Sequence, residues 1–173
     1  KGENNIASVL QTNGYRTGMV GKWHLGIEKH QSHNVDEYGK PSKIHGDEIL
    51  ELDDSEVNAY LGRKYESDVM CIKNGYGFDY VSSFYEGNLT GWPQSMKKYV
   101  FHNQDWITSG ALDFLDGCAE DDSPFFLYFS TTLQHGPQPL NSLEADRRIT
   151  PSGMLGKAPE VQPDYQSIYE RLD

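Results

Sequence analysis

At 173 residues the chain is long enough for one compact domain with a sizeable core, and nothing in that length requires a second. A composition of 36% hydrophobic, 24% charged and 12% aromatic residues is globular rather than disordered, while 17 glycines and 8 prolines imply a loop-rich, soluble α/β protein. With 26 acidic residues against 15 basic, the formal charge of −11 argues against a broad footprint for nucleic acid or anionic lipid, so an anionic ligand needs a local basic pocket.

In residues 5–13, Ile6, Val9 and Leu10 recur at helical spacing and Gly14 follows as a left-handed stop, which predicts a short helix. Residues 16–23 then read as a strand running into a loop at Gly21. Residues 27–74 are polar with weak periodicity and are taken as an insertion or long loop excursion, with a short helix around 56–64. The glycine-punctuated aromatic pattern at 75–84 suits a short strand or edge segment, and Trp92-Pro93 marks another loop.

Residues 103–118 carry the clearest helical stripe, with Ile107, Ala111, Phe114 and Cys118 on one face, and Cys118 is therefore expected to be a buried, inert thiol. After Pro124 the unbroken apolar run 125–129 predicts a strand covered on both faces by helices, hence a mostly parallel sheet. Residues 136–163 form a proline-rich loop region, and residues 165–172 have the composition to open a helix.

Several features carry little chemistry. Cys71 and Cys118 have no zinc-ligand spacing and are read as two free thiols in preference to one disulfide. His30 and His33 stand three apart without a predicted helix to align them, so no metal site is assigned to them. Asn88-Leu89-Thr90 is a glycosylation tripeptide of a kind frequent by chance, and Arg147-Arg148 is taken as a solvated loop pair. The longest apolar runs are far too short to span a bilayer, and no signal segment is found.

The informative segment is Gly14-Tyr15-Arg16-Thr17-Gly18-Met19-Val20-Gly21-Lys22-Trp23-His24-Leu25-Gly26. In extended backbone, residues two apart point the same way, so Lys22 and His24 share one face and Trp23 and Leu25 the other. They follow a strand, and open α/β sheets place their ligands beyond the carboxyl ends of strands. His135 stands in the same relation to the strand that starts at Phe125. If the two strands are parallel near neighbours, a lysine and two histidines meet on one rim.

The same segment resembles the second signature of the sulfatase family. Gly77-Phe78-Asp79, Ala111-Leu112-Asp113-Phe114, and Pro124-Phe125-Phe126-Leu127-Tyr128 leading to His135-Gly136-Pro137 are similar to further stretches of that family, in the same order. The resemblance implies an alkaline-phosphatase-like sandwich, with a mostly parallel central sheet flanked by helices and incomplete at both ends. By motif position it implies that Lys22 binds the sulfate and the nucleophile, His24 hydrogen-bonds the nucleophile, and His135 protonates the leaving oxygen.

It also implies one calcium ion and a formylglycine nucleophile made within a Cys/Ser-x-Pro-x-Arg sequence. No such pentapeptide occurs here, and Asp53-Asp54 and Asp121-Asp122 lie downstream of the signature, in the wrong order for the family's metal pair. The nucleophile and calcium ligands are therefore expected outside this chain, which is read over 1–173 as a partial catalytic domain and as inactive alone. The expected activity of the complete enzyme is sulfuric ester hydrolysis of an aryl or carbohydrate sulfate, in a periplasmic, secreted or lysosomal setting. The expected partner is a sulfated small molecule or glycan, with no nucleic acid and no membrane. The alternatives are a phosphodiesterase or phosphonate monoester hydrolase of the same superfamily, and a non-catalytic anion-binding fragment.

Overall fold

The computed structural model describes residues 4–27, 41–120, 122–133, 135–159 and 161, so His30, His33 and residues 165–172 lie outside it. Its centre is a parallel sheet of three strands, β1 (Arg16–Lys22), β2 (Tyr80–Tyr85) and β3 (Phe125–Ser130), in the order β2-β1-β3. Helices α1 (Ile6–Thr12), α2 (Ser55–Tyr76) and α3 (Gln104–Ala119) flank it, giving the mixed α/β architecture read from the sequence. A short helix α4 (Pro139–Leu143) and a two-stranded ribbon of β4 (Ile149–Thr150) and β5 (Gly153–Met154) follow, so the stretch taken as proline-rich loop contains regular elements.

The sheet has a core on each side. Met19 of β1 packs with Ala7, Ile72, Phe78, Val81 and Phe84, joining α1 and α2 to the sheet. Val20, the next residue, packs with Tyr85, Leu89, Trp106, Ile107 and Ala111, joining α3 to the other side. Removing each of the Met, Val, Ile, Leu and Phe side chains among them from water contributes about 1.5–3 kcal/mol.

Two expectations are corrected. The second half of the 27–74 excursion is not loop with a short helix: α2 runs for 22 residues, capped by Asp54 at its start and ended by Gly77 in the left-handed region at φ 74°. Its buried stripe includes Asp68 beside Val57, Tyr60, Leu61, Cys71 and Ile72, so the inward face is partly polar and the apolar periodicity is diluted. Secondly, β3 is not covered on both faces: Phe125 and Phe129 are 50% and 47% exposed, because the two cores beside the sheet are built mainly on β1 and β2. The expected short helix α1 forms, and the side chain it buries is Ala7, with Ile6 and Val9 63% and 45% exposed.

Cys71 and Cys118 are buried thiols. Burial, followed by the nearby Asp68 charge, pushes the Cys71 pKa up, which suits an inert group. Arg147 is not simply solvated, since its Nη1 lies 3.0 Å from the carboxylate of the buried Asp105. No described helix is long and apolar enough to cross a membrane.

Candidate active site at the carboxyl rim of the sheet

Lys22 is the last residue of β1, and His135 lies five residues beyond the end of β3, its parallel neighbour. The structure brings them together: Lys22 Nζ and His135 Nε2 are 3.1 Å apart. Ammonium can only donate, so the ring nitrogen accepts in this contact. Lys22 is 8% exposed while His135 is exposed, which leaves a desolvated cation at the base of the rim with an imidazole above it. Among the described residues no carboxylate pairs with Lys22. A buried ammonium in that setting favours an incoming anion, which supplies the charge its neutral partner lacks.

The approach depends on Gly21. Its φ is +89°, and a Cβ built there would stand 1.9 Å from the carbonyl oxygen of Ser130. Only glycine lets the ends of β1 and β3 come this close. On the other side the register slips between Val20 and Gly21, leaving Ser83 unpaired at φ 48° and setting Lys22 opposite Tyr85. Such a bulge beside a site re-aims the residues that follow.

Trp23 is 2% exposed, donates from Nε1 to the Gly26 carbonyl at 2.6 Å and lies edge-on to Tyr76 and Phe78. It is the buried anchor of this loop, but Leu25, expected on the same packed face, is 66% exposed. The alternation stops at His24, whose φ of 49° takes it out of extended backbone. His24 is held through its backbone, the amide donating to the Glu86 carbonyl at 2.9 Å, and its exposed ring lies beside Gly87. The extended geometry that placed His24 on the face of Lys22 is therefore absent at this residue.

Sequence reasoning missed His102. This residue is 3% exposed; its Nε2 donates to the Pro137 carbonyl at 2.7 Å and its Nδ1 accepts from the Thr132 hydroxyl at 2.8 Å. Gln104 in turn donates to Thr132 at 2.9 Å and accepts from Thr131 at 3.0 Å. These contacts clamp the loop that carries His135 on both sides of that residue. No spacing or motif marks His102, because its partners are 30 and 35 residues away.

Asp79 of the Gly77-Phe78-Asp79 stretch works at the opposite end of β1. Its carboxylate accepts from the Thr17 amide at 2.9 Å, the Thr17 hydroxyl at 3.0 Å and the Gln11 side chain at 2.5 Å. Desolvation opposes its charge, but the Gln11 and Thr17 hydrogen bonds and the charge of Arg16 outweigh it and hold the carboxyl below its usual pKa.

The calcium and formylglycine implied by the resemblance do not fit the residues described. Among them no group of three or more His, Cys, Asp or Glu side chains converges as a metal site. Lys22 and His135 offer nitrogen, whereas calcium takes oxygen ligands. Asp54, of the first Asp-Asp pair, caps α2 and pairs with Lys43 at 2.5 Å.

A parallel sheet flanked by helices, with a buried cation and an imidazole at its carboxyl rim, defines an α/β protein, and the architecture is consistent with the alkaline-phosphatase-like class. The chain belongs to the sulfatase family, whose family model, described as Sulfatase, matches residues 1–168. An arylsulfatase of Hemicentrotus pulcherrimus is 29% identical over 140 residues, which cover 78% of this chain and 22% of that protein's length.

Proposed function

We propose that the chain supplies the sulfate-gripping and leaving-group side of a sulfatase active site. The observation that carries this reading is the 3.1 Å approach of Lys22 Nζ to His135 Nε2 at the rim of a sulfatase-family fold. Two nitrogens so close suit neighbouring oxygens of one tetrahedral anion. Lys22 holds a non-bridging sulfate oxygen and neutralises charge on the sulfuryl group. His135, reached from solvent, takes up a proton there once the bound anion replaces it as the partner of Lys22, and passes that proton to the bridging oxygen as the S–O bond breaks, so that the alcohol departs neutral. His24, at the same rim, hydrogen-bonds the attacking nucleophile.

The nucleophile would be a formylglycine hydrate supplied by residues other than these, with calcium beside it to take up charge on the sulfate. The substrate is an aryl or carbohydrate sulfate, and the setting is secreted, periplasmic or lysosomal, as the family resemblance implies.

The test is an assay of the whole protein containing this chain on 4-nitrophenyl sulfate and 4-nitrophenyl phosphate. The sulfate is expected to be preferred; a clear preference for the phosphate points instead to the phosphodiesterase or phosphonate hydrolase reading. Lys22→Ala is expected to lower kcat/KM by ~10²–10³. His135→Ala is expected to lower kcat by ~10²–10⁴, with a smaller loss for leaving groups that need no proton.

A further inference from the structure

His135 is exposed, and its amide donates to the Thr132 carbonyl at 3.1 Å, so its placement follows that of the loop it stands on. Two anchors of that loop meet on the buried His102 ring. Thr132, itself 1% exposed, places its hydroxyl 2.8 Å from Nδ1, and Pro137 places its carbonyl oxygen 2.7 Å from Nε2. An imidazole is planar and rigid, so it sets the spacing of the two anchors as well as holding each one.

The partners assign the roles of the two nitrogens. A carbonyl only accepts, so Nε2 carries the proton. Thr132 Oγ1 accepts from Gln104 Nε2 at 2.9 Å, and its own proton points at Nδ1. One donor and one acceptor at a fixed spacing is what the neutral ring supplies, and an apolar side chain would leave both buried anchors unpaired.

His102 is in turn tied to the strand end that carries Lys22. The Tyr85 hydroxyl, on a residue 1% exposed, donates to the Phe101 carbonyl at 3.1 Å and accepts from the Asn103 amide at 3.0 Å, gripping the chain on both sides of His102. Tyr85 is the register partner of Lys22, and its carbonyl accepts from the Trp23 amide at 2.8 Å. A closed path of contacts therefore runs from Lys22 to Tyr85, through residues 101–103 to the His102 ring, and by Thr132 and Pro137 back to His135.

We propose that His102 is the positioning residue that holds His135 in place over Lys22. Its effect on catalysis rests on the proton-donor reading of His135, whereas the positioning itself is a property of the free protein. His102 acts through the loop and takes no part in the proton transfer.

Two measurements test this. The first is NMR of the His135 ring nitrogens in the full chain without ligand. Nε2 is expected to report an acceptor bonded to Lys22, and His102→Ala to move that signal to the value of a solvent-exposed imidazole while the Trp23 indole signal stays in place. The second is kcat of the whole protein containing this chain on an alkyl sulfate, whose leaving oxygen needs the proton, and on 4-nitrophenyl sulfate, which needs it least. His102→Ala is expected to lower kcat about 10²-fold on the alkyl sulfate, with KM little changed and a clearly smaller loss on 4-nitrophenyl sulfate. His102→Gln, whose amide keeps a donor for Pro137, recovers part of the loss and carries the test if the alanine variant fails to fold. Added to His135→Ala, it lowers kcat no further.

A His135 signal indifferent to both His102 variants, equal losses on the two esters, or losses that add to that of His135→Ala would overturn the positioning role. A parent protein inactive on both sulfates, whose His135 signal still moves with His102, counts against the sulfatase reading alone.

Discussion

β1 and β3 lie side by side, yet their sequences and surroundings run opposite ways. β1 reads Arg-Thr-Gly-Met-Val-Gly-Lys and is buried from Thr17 to Lys22; β3 reads Phe-Phe-Leu-Tyr-Phe-Ser and is half-exposed at its phenylalanines. What packs on the faces of a strand, not its own hydrophobicity, decides its burial, for β2 is an edge strand like β3 and is mostly buried. At Gly21 the neighbouring backbone also comes closer than a Cβ would permit, a requirement that only glycine meets. In β1 the same requirement produces the site, since the Gly21 gap that admits Ser130 sets Lys22 within reach of His135.

Breaking that gap should have the largest effect. Gly21→Ala adds a Cβ into the Ser130 carbonyl at a positive φ, and a loss of at least ~4 kcal/mol in urea unfolding is expected, because both the strain and the strand contact are affected. The burial contrast itself is measured by a pair. Met19→Ala in β1 is expected to cost ~2–5 kcal/mol, as for other fully buried side chains, and Phe129→Ser in β3 a clearly smaller amount. Equal costs would mean that β3 is as deeply packed as its sequence alone implies.

A finer test uses pH at the other end of β1. The folded-state pKa of Asp79 is lowered, so its contribution is fully present above the unfolded value of about 3.9 and is lost as pH falls through the folded value. Asp79→Ala should therefore separate from the parent in thermal midpoint at about pH 6, and the gap should close on acidification below about pH 4. A gap independent of pH would assign the loss to packing rather than to the carboxylate.

Much of this was legible from sequence where the signal is local. The Gly21-Lys22-Trp23-His24 run marked β1 and its rim, the Ile107-Ala111-Phe114 stripe marked α3, and Gly14 marked the end of α1. What stayed hidden depends on partners distant in the chain. The inward face of α2 carries Asp68, whose charge is answered by Lys64 one turn earlier on the same helix, so hydropathy alone undercounts the helix. Its ends were nevertheless written in Asp54 and Gly77, an N-cap and a left-handed stop. His102 and the Arg147–Asp105 pair bridge segments dozens of residues apart and leave no periodic trace.

The central claim is that Lys22 and His135 form one receptor for a tetrahedral oxyanion. The most direct measurement is a titration of the chain with inorganic sulfate, followed by NMR of the His135 ring and the Lys22 side-chain signals together. Both sets should move with a single affinity, and Lys22→Ala should abolish the response at His135. Signals that move independently, or a His135 response that survives the loss of Lys22, would contradict it.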